Sequence, residues 1–424
     1  MSAEHLASLP ERRANGSHEG ITSVCSAHPL VIEAAFLQGL ADGSEVLIEA
    51  TCNQVNQDGG YTGMTPADFR RFVEEIAARV GFPPERLILG GDHLGPNPWK
   101  GLDAEAAFAK ADVMIAAFVE AGFTKIHLDA SMGCAGEPEA LDDETTAARA
   151  ARLAAIAEDA HRRVGGTAPV YIIGTEVPTP GGALEALDHL QVTSPEAAAG
   201  TVEVHRRAFS ERGLQAAFDR VIGLVVQPGV EFGDADVVHY APEKAVGLSQ
   251  WLKSAPQFVF EAHSTDYQTE AGLAALVRDG FAILKVGPWL TFALREALYG
   301  LDAIACELVE GYASHSLKAA MEELLLSEPG NWKKYYHGDE TALRVKRHYS
   351  YSDRIRYYWP HPTARAAVER LTAALDDVAI PETLISQHLG ALYPQVVSGE
   401  VKPNVRDLQI AAVRNVLRQY AQAC

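Results

Sequence analysis

Cysteine is scarce in this chain, and its pairing motifs are missing. Five cysteines (Cys25, Cys52, Cys134, Cys306 and Cys424) stand far apart with no CxxC spacing. An odd, sparse set argues for free thiols in a reducing compartment rather than a disulfide framework. Cys25 and Cys52 fall on or just after expected strands, where a small buried hydrophobe is the plain reading. Positive charge is also in deficit. Lys and Arg total 36 against 56 Asp and Glu, a net charge of −20. Nucleic acid and anionic membrane are both polyanions, so neither is expected as a partner. A phosphorylated metabolite remains open, because a local positive pocket suffices for it. No apolar run approaches the ~18 residues needed to cross a bilayer. Arg12 and Arg13 have no apolar stretch behind them, so no signal peptide is expected. The reading is a cytoplasmic, soluble protein.

What is present is a set of eight short apolar runs with polar residues crowding their C-terminal ends. They are ITSVCSA (21–27), EVLIEAT (45–51), LILGGDH (87–93), KIHLDAS (125–131), PVYIIGTEV (169–177), VIGLVVQPG (221–229), QFVFEAHS (257–264) and FAILKVGP (281–288). Ala-rich, helix-like stretches separate them. Eight buried strands alternating with helices predict a (β/α)8 TIM barrel, whose active site lies at the strand C-termini. A hydrophobic content of 47% is ample for that core. The expected organisation is an arm or helix over 1–20, the barrel over 21–309, and a helical C-terminal extension over 310–424. Start signals for helices are clear. Thr65-Pro66-Ala67-Asp68 reads as N-cap, N1 proline and N3 carboxylate, Asp103 as an N-cap, and Thr193-Ser194-Pro195-Glu196 as another cap.

The richest motif is GGDHLGP (90–96). Asp92 and His93, adjacent at a strand end, suit a general base and a metal ligand. His263 ends strand seven, Glu176 strand five, Gln227 strand six and Asp129 strand four. Two imidazoles and a carboxylate around one mouth suit Zn2+ or another divalent cation, with a position open for substrate. Asp92, Glu176 and Asp129 are the candidate catalytic carboxylates; His93, His263, Glu176 and Gln227 are the candidate metal ligands. His127, two residues before Asp129, reads as a core histidine by period 2. His28 follows strand one and could line the mouth. Phosphate sites in such barrels form after strands seven and eight, which offer Ser264, Thr265, Asp266 and Gly287, with a helix N-terminus near Trp289. Lys285 suits either a Schiff base or an inward ion pair. Asn53 and Gln54, with Asn56 and Gln57, suit recognition of hydroxyls. The stretch 331–360 carries Lys333, Lys334, Arg354 and Arg356 among tyrosines. It reads as a subunit interface of a homo-oligomer, or as an arm that brings Arg354 to a substrate phosphate.

CSAHPLVIEAA, IEATCNQVNQDGGYTGMTPADF, LGGDHLGPNPW, KIHLDAS, GTEVPTPGG, VVQPGVEF, FEAHSTDYQT, LKVGPWLTFALREAL and YSDRIRYYWP together resemble the GatZ/KbaZ family, from about residue 20 to the end. That resemblance implies an accessory subunit supporting a class II catalytic subunit of D-tagatose-1,6-bisphosphate aldolase, in galactitol or N-acetylgalactosamine catabolism. It also implies an alternative, a metal-dependent 4-epimerase of ketohexoses or their 6-phosphates working by retro-aldol and aldol steps. The family is similar to zinc-dependent class II aldolases, whose Asp-His pair is matched by Asp92 and His93, whose strand-five Glu by Glu176 and whose strand-seven His by His263. Their strand-six metal histidine is replaced here by Gln227, and their strand-eight substrate-holding Asn by Gly287. The older family label of tagatose 6-phosphate kinase meets no Walker-type GxxxxGK[ST] and no sugar-kinase-like Gly-rich loop in this sequence.

Overall fold

The computed structural model describes residues 4–175 and 190–424. All eight apolar runs form parallel strands: β1 Ile21–Val24, β2 Val46–Thr51, β3 Leu87–Leu94, β4 Lys125–Leu128, β5 Val170–Ile173, β6 Val221–Val225, β7 Val259–Ala262 and β8 Ile283–Val286. They close in the order β1-β8-β7-β6-β5-β4-β3-β2, a (β/α)8 barrel. Parallel strands covered by helices are buried on both faces, which is why they read as near-continuous apolar runs. Every residue of β3 is buried.

The helix starts fall where the sequence places them. Thr65 and Asp68 form a reciprocal capping box. Asp103 accepts from the Ala106 N–H, and Ser194 from the Ala197 N–H. Each such cap is worth about 1 kcal/mol.

The core has two parts. The larger lies between the strands and the helical ring. The smaller fills the lower end of the barrel with Leu47, Ile88, Ile172, Ile222, Val259 and Ile283, joined by Leu6 and Leu9. Those leucines come from the helix Glu4–Ala14, so this segment plugs the end of the barrel opposite the strand C-termini. Above this apolar floor the interior turns ionic. Ser23, Glu49, Lys125, Glu261 and Lys285 are all buried there. Gly90 sits between Glu49 and Lys125 in register, and a Cβ on it would meet Glu49 Cγ at 2.7 Å. Glycine there leaves room for the carboxylate.

The tail after the helix Pro288–Leu308 is helical and ends in Val405–Ala423. That last helix packs on Pro29–Asp42, Glu270–Arg278 and Pro288–Leu308. Its Tyr420 hydroxyl donates to the Thr265 carbonyl at 2.7 Å. A two-stranded hairpin, Glu231–Phe232 with Val237–Val238, lies after β6 and was not foreseen from the sequence. No helix among the described residues is long and apolar enough to cross a membrane.

Candidate active site

Side chains alternate along a strand, so residues two apart share a face. Lys125 and His127 on β4 share one, as do Glu261 and His263 at the end of β7. The lower member of each pair joins the ionic layer, and the upper member reaches the mouth. In the ionic layer, Lys125 Nζ lies 2.7 Å from both Glu49 Oε1 and Glu261 Oε2. The Ser23 hydroxyl donates to Glu49 Oε1 at 2.6 Å. Lys285 pairs with Asp92 and lies 3.2 Å from Glu49 Oε2. Of the two readings for Lys285, the structure shows the ion pair. Burial opposes its charge, but Asp92 and the other carboxylates raise its pKa well above the usual lysine value. An ammonium so held is no Schiff-base nucleophile.

At the mouth, Asp92, His93, His127 and His263 place one donor atom each within 4.8 Å of one another, all four buried. The His93 and His263 rings are 4.8 Å apart, edge to face. His93 adopts a left-handed φ of 47°, an uncommon state for a non-glycine residue that recurs at functional sites. It coincides with a register shift between β3 and β4. Supporting bonds orient the rings. His93 Nδ1 meets Asp129 Oδ2 at 2.8 Å, and His263 Nε2 meets Glu261 Oε1 at 2.9 Å. Carboxylates in this position fix the ring and leave its other nitrogen directed elsewhere. Asp129 is therefore a support for His93, not a group facing the pocket. Burial would raise the Asp129 carboxyl, but the His93 hydrogen bond and charge bring it down to about 2. Burial would likewise raise Asp92; His93 and Lys285 outweigh it and hold Asp92 well below the usual carboxylate range. Burial pushes His263 down to about 3, so this imidazole is neutral with a free lone pair.

Two observations fit a divalent cation. First, His127 Nε2 is buried without a partner. Second, four buried carboxylates (Glu49, Asp92, Asp129, Glu261) face two buried lysines (Lys125, Lys285). A divalent ion at the mouth would meet this excess of carboxylate over ammonium.

Beside this set opens a pocket lined by Asn53, Gln54, Tyr61, Asp92, His93, His263, Ser264, Asp266, Lys285, Gly287, Arg356 and Tyr357, among others. Asn53, Gln54, Ser264, Asp266, Lys285 and Gly287 are thus brought together as expected. Others are placed elsewhere. Thr265 is fully buried, its hydroxyl donating to the Lys285 carbonyl at 2.6 Å, so it braces β8 from behind. Gln227 Oε1 accepts from the Gly229 and Val230 N–H groups at 2.8 and 3.0 Å; it shapes its own turn and does not line the pocket. Arg354 donates to the Asn331 carbonyl and stacks 3.3 Å from the Tyr335 ring centre. Arg356, two residues on, is the arginine that faces the pocket. The expected anion cradle at Gly287 and Trp289 is taken. Asp266 Oδ1 accepts both N–H groups, at 3.1 and 2.8 Å. Glu176 lies outside the described residues. His28 lines an adjoining cavity, where burial pushes it down to about 4.

His127, Glu49, Lys125 and Glu261 are the site residues that sequence reasoning missed. The available signal was their period: a charged residue inside an apolar strand, two before a residue at the mouth.

Fold and site together define a (β/α)8 barrel with a metal-competent Asp/His mouth and an adjacent polar pocket. The chain belongs to the GatZ/KbaZ-like family, described as D-tagatose-1,6-bisphosphate aldolase subunit GatZ/KbaZ-like, whose model matches residues 6–424. It is 58% identical, over 99% of its length and 98% of the relative's, to a D-tagatose 6-phosphate 4-epimerase of Agrobacterium fabrum (strain C58 / ATCC 33970). It is also similar to a solved structure from Sinorhizobium meliloti 1021 described as a probable tagatose 6 phosphate kinase. That match has 60% identity and a TM-score of 0.89, and it covers 96% of this chain and all of the other.

Proposed function

We propose that this chain is a 4-epimerase of a phosphorylated ketohexose, interconverting tagatose 6-phosphate and fructose 6-phosphate through retro-aldol and aldol steps. The observation that carries this reading is the Asp92 carboxylate set among three imidazoles, with Asp92, His93 and His263 at the pocket wall. It occurs in a chain 58% identical to a protein named for that activity. His93, His127 and His263, with Asp92 alongside, would hold Zn2+ or a similar divalent cation, which when bound polarises a carbonyl as a Lewis acid.

The chain's own groups divide the remaining work. Asp92, ionised and in contact with Lys285, takes the proton from the C4 hydroxyl. The C3–C4 bond breaks, its electron pair passing to C3 to give an enediolate, while C4 becomes an aldehyde. The aldehyde turns over within the pocket, and C3 attacks its opposite face. Asp92 returns the proton to O4, and C4 is inverted with all atoms conserved. Lys285 keeps Asp92 charged and oriented between the two proton transfers. Asn53 and Gln54, amides that both donate and accept, hold sugar hydroxyls.

The accessory-subunit reading, the leading expectation from sequence, now stands second. The family description favours it, but a scaffold has no physical need for a buried Asp/His set beside a polar pocket. The kinase label of the Sinorhizobium structure finds no Walker-type loop in this sequence to support it. Carbon NMR of the zinc-loaded chain with tagatose 6-phosphate tests the proposal. Fructose 6-phosphate should appear without free trioses. Trioses as the end product would mean an aldolase, and a silent spectrum with zinc bound would return the accessory reading to first place.

A further inference from the structure

A substrate with one phosphate needs one anchor for it, and the pocket offers a specific candidate. We infer that Arg356 binds the substrate's phosphate, and that the site is built for a ketose monophosphate and not a bisphosphate; this rests on the epimerase reading above. Arg356 belongs to the C-terminal extension, in the 3-10 turn Arg354–Tyr358. It lies at the junction of two spaces: the pocket beside the Asp/His set and the adjoining cavity that reaches His28 and Arg365.

Its partners position it without neutralising it. The guanidinium donates to the Ser352 carbonyl, to the Asp353 carbonyl at 3.1 Å and to the Tyr357 hydroxyl at 2.9 Å. It lies 4.4 Å from the Tyr357 ring centre. No carboxylate of the described residues comes within 4.0 Å of it. Asp353 and Asp266 act on it only through space, and a fixed guanidinium at a pocket wall with no carboxylate paired to it is a recognition group for phosphate.

The other positive features of the pocket are already committed. Lys285 is bound to Asp92 and Glu49. The N–H groups at the start of the helix Pro288–Leu308 are bound to Asp266. A second phosphate placed there would meet the Asp266 carboxylate. Among the described Lys and Arg residues that line the pocket beside the Asp/His set, Arg356 is thus the one whose positive charge remains available to substrate.

The test compares wild type, Arg356→Gln and Arg356→Lys with tagatose 6-phosphate, tagatose and tagatose 1,6-bisphosphate. Calorimetry reads binding and carbon NMR reads turnover. Loss of charge-assisted hydrogen bonds predicts a fall of about 10- to 100-fold in affinity and in kcat/KM for the monophosphate in the Gln variant. Tagatose should change by less than about 3-fold, because it lacks the group concerned. The Lys variant should recover part of the loss. Inorganic phosphate should compete with the monophosphate on wild type and not on the Gln variant, and the bisphosphate should bind no tighter than the monophosphate. Equal losses on the phosphorylated and free sugars, or unchanged monophosphate binding in the Gln variant, would overturn the assignment, as would failure of wild type to bind the monophosphate. Arg356-dependent binding without turnover would sink the epimerase reading and leave this one intact. Turnover indifferent to Arg356 would do the reverse.

Discussion

Replacing Lys125 with methionine removes one charge from the ionic layer while keeping much of its length. Lys125 is fully buried, and its ammonium lies 2.7 Å from two carboxylates that are also fully buried. Burial opposes its charge, yet Glu261 and Glu49 raise its pKa above the usual lysine value, so the ammonium is present at all working pH. Lys125→Met strands the negative charges of Glu49 and Glu261 with Lys285 alone. Breaking a buried pair by removing one partner costs about 3–5 kcal/mol. The unfolding entropy of a chain of 424 residues is about 0.9 kcal/mol/K on the per-residue average. The expected fall in Tm is therefore about 3–6 °C by differential scanning calorimetry. The double variant Lys125→Met/Glu261→Gln removes the stranded charge and should recover about 1–3 kcal/mol relative to additivity. A Tm within about 1 °C of wild type for the single variant, or strictly additive effects in the double, would show that the two carboxylates do not depend on Lys125.

Two further outcomes are expected. Asp353 is buried in a left-handed conformation with φ 45°, and burial, opposed by Arg295, pushes its carboxyl up to about 7. Its folded pKa exceeds its unfolded one, so its contribution is fully present below about pH 4 and is lost as pH rises through about 7. Asp353→Asn imitates the protonated form and tolerates positive φ. Its Tm should match wild type at pH 4 and exceed it by about 4–5 °C at pH 8; a gap that stays constant with pH would refute this. His263→Ala should reduce bound zinc from about one ion per chain to well below half, measured by mass spectrometry after dialysis. Unchanged zinc content would place the ion elsewhere.

The barrel was legible because its strands are buried on both faces, and burial leaves a trace in the sequence. Runs such as LILGGDH and FAILKVGP leave little room for another fold. Caps at Thr65, Asp103 and Ser194 were legible because their chemistry is local. The hairpin Glu231–Phe232 with Val237–Val238 was not, since two-residue strands carry no periodicity. The site was legible where a residue ends a strand, as with Asp92, His93 and His263. His127 was assigned to the core because period 2 fixes a face but not a height along the barrel axis. Whether an inward residue sits in the ionic layer or at the mouth depends on strand stagger, which follows from closure of the whole sheet. Arg354 and Arg356 differ by the direction each takes from one tight turn, and only the packing of Arg354 on Tyr335 separates them. The filled anion cradle was hidden for a similar reason: Asp266 and Gly287 lie on different strands' loops and meet only in the closed barrel.

The ionic layer also bears on why the mouth can do chemistry. Stability alone does not explain four charged groups beneath it, because well-packed apolar residues often serve as well or better than a buried ion-pair network. The geometry gives each group a task toward the mouth. Glu261 orients His263 through Nε2. Lys285 reaches past the layer to Asp92, and Lys125 offsets the carboxylates below it. Without the two lysines, the negative charge of Glu49 and Glu261 would add to that of Asp92 and Asp129, and His263 would be drawn toward protonation. With them, Lys125 offsets the carboxylates of the floor, Lys285 joins the floor to Asp92, and Asp92 and Asp129 stand as the carboxylates at the level of the mouth. A cation and a developing enediolate both require charge to be placed at that level and not below it. Because Glu49 and Lys285 come from β2 and β8 while Lys125 and Glu261 come from β4 and β7, only a closed barrel brings the layer together. The electrostatics of the site therefore depend on the closure that holds the fold.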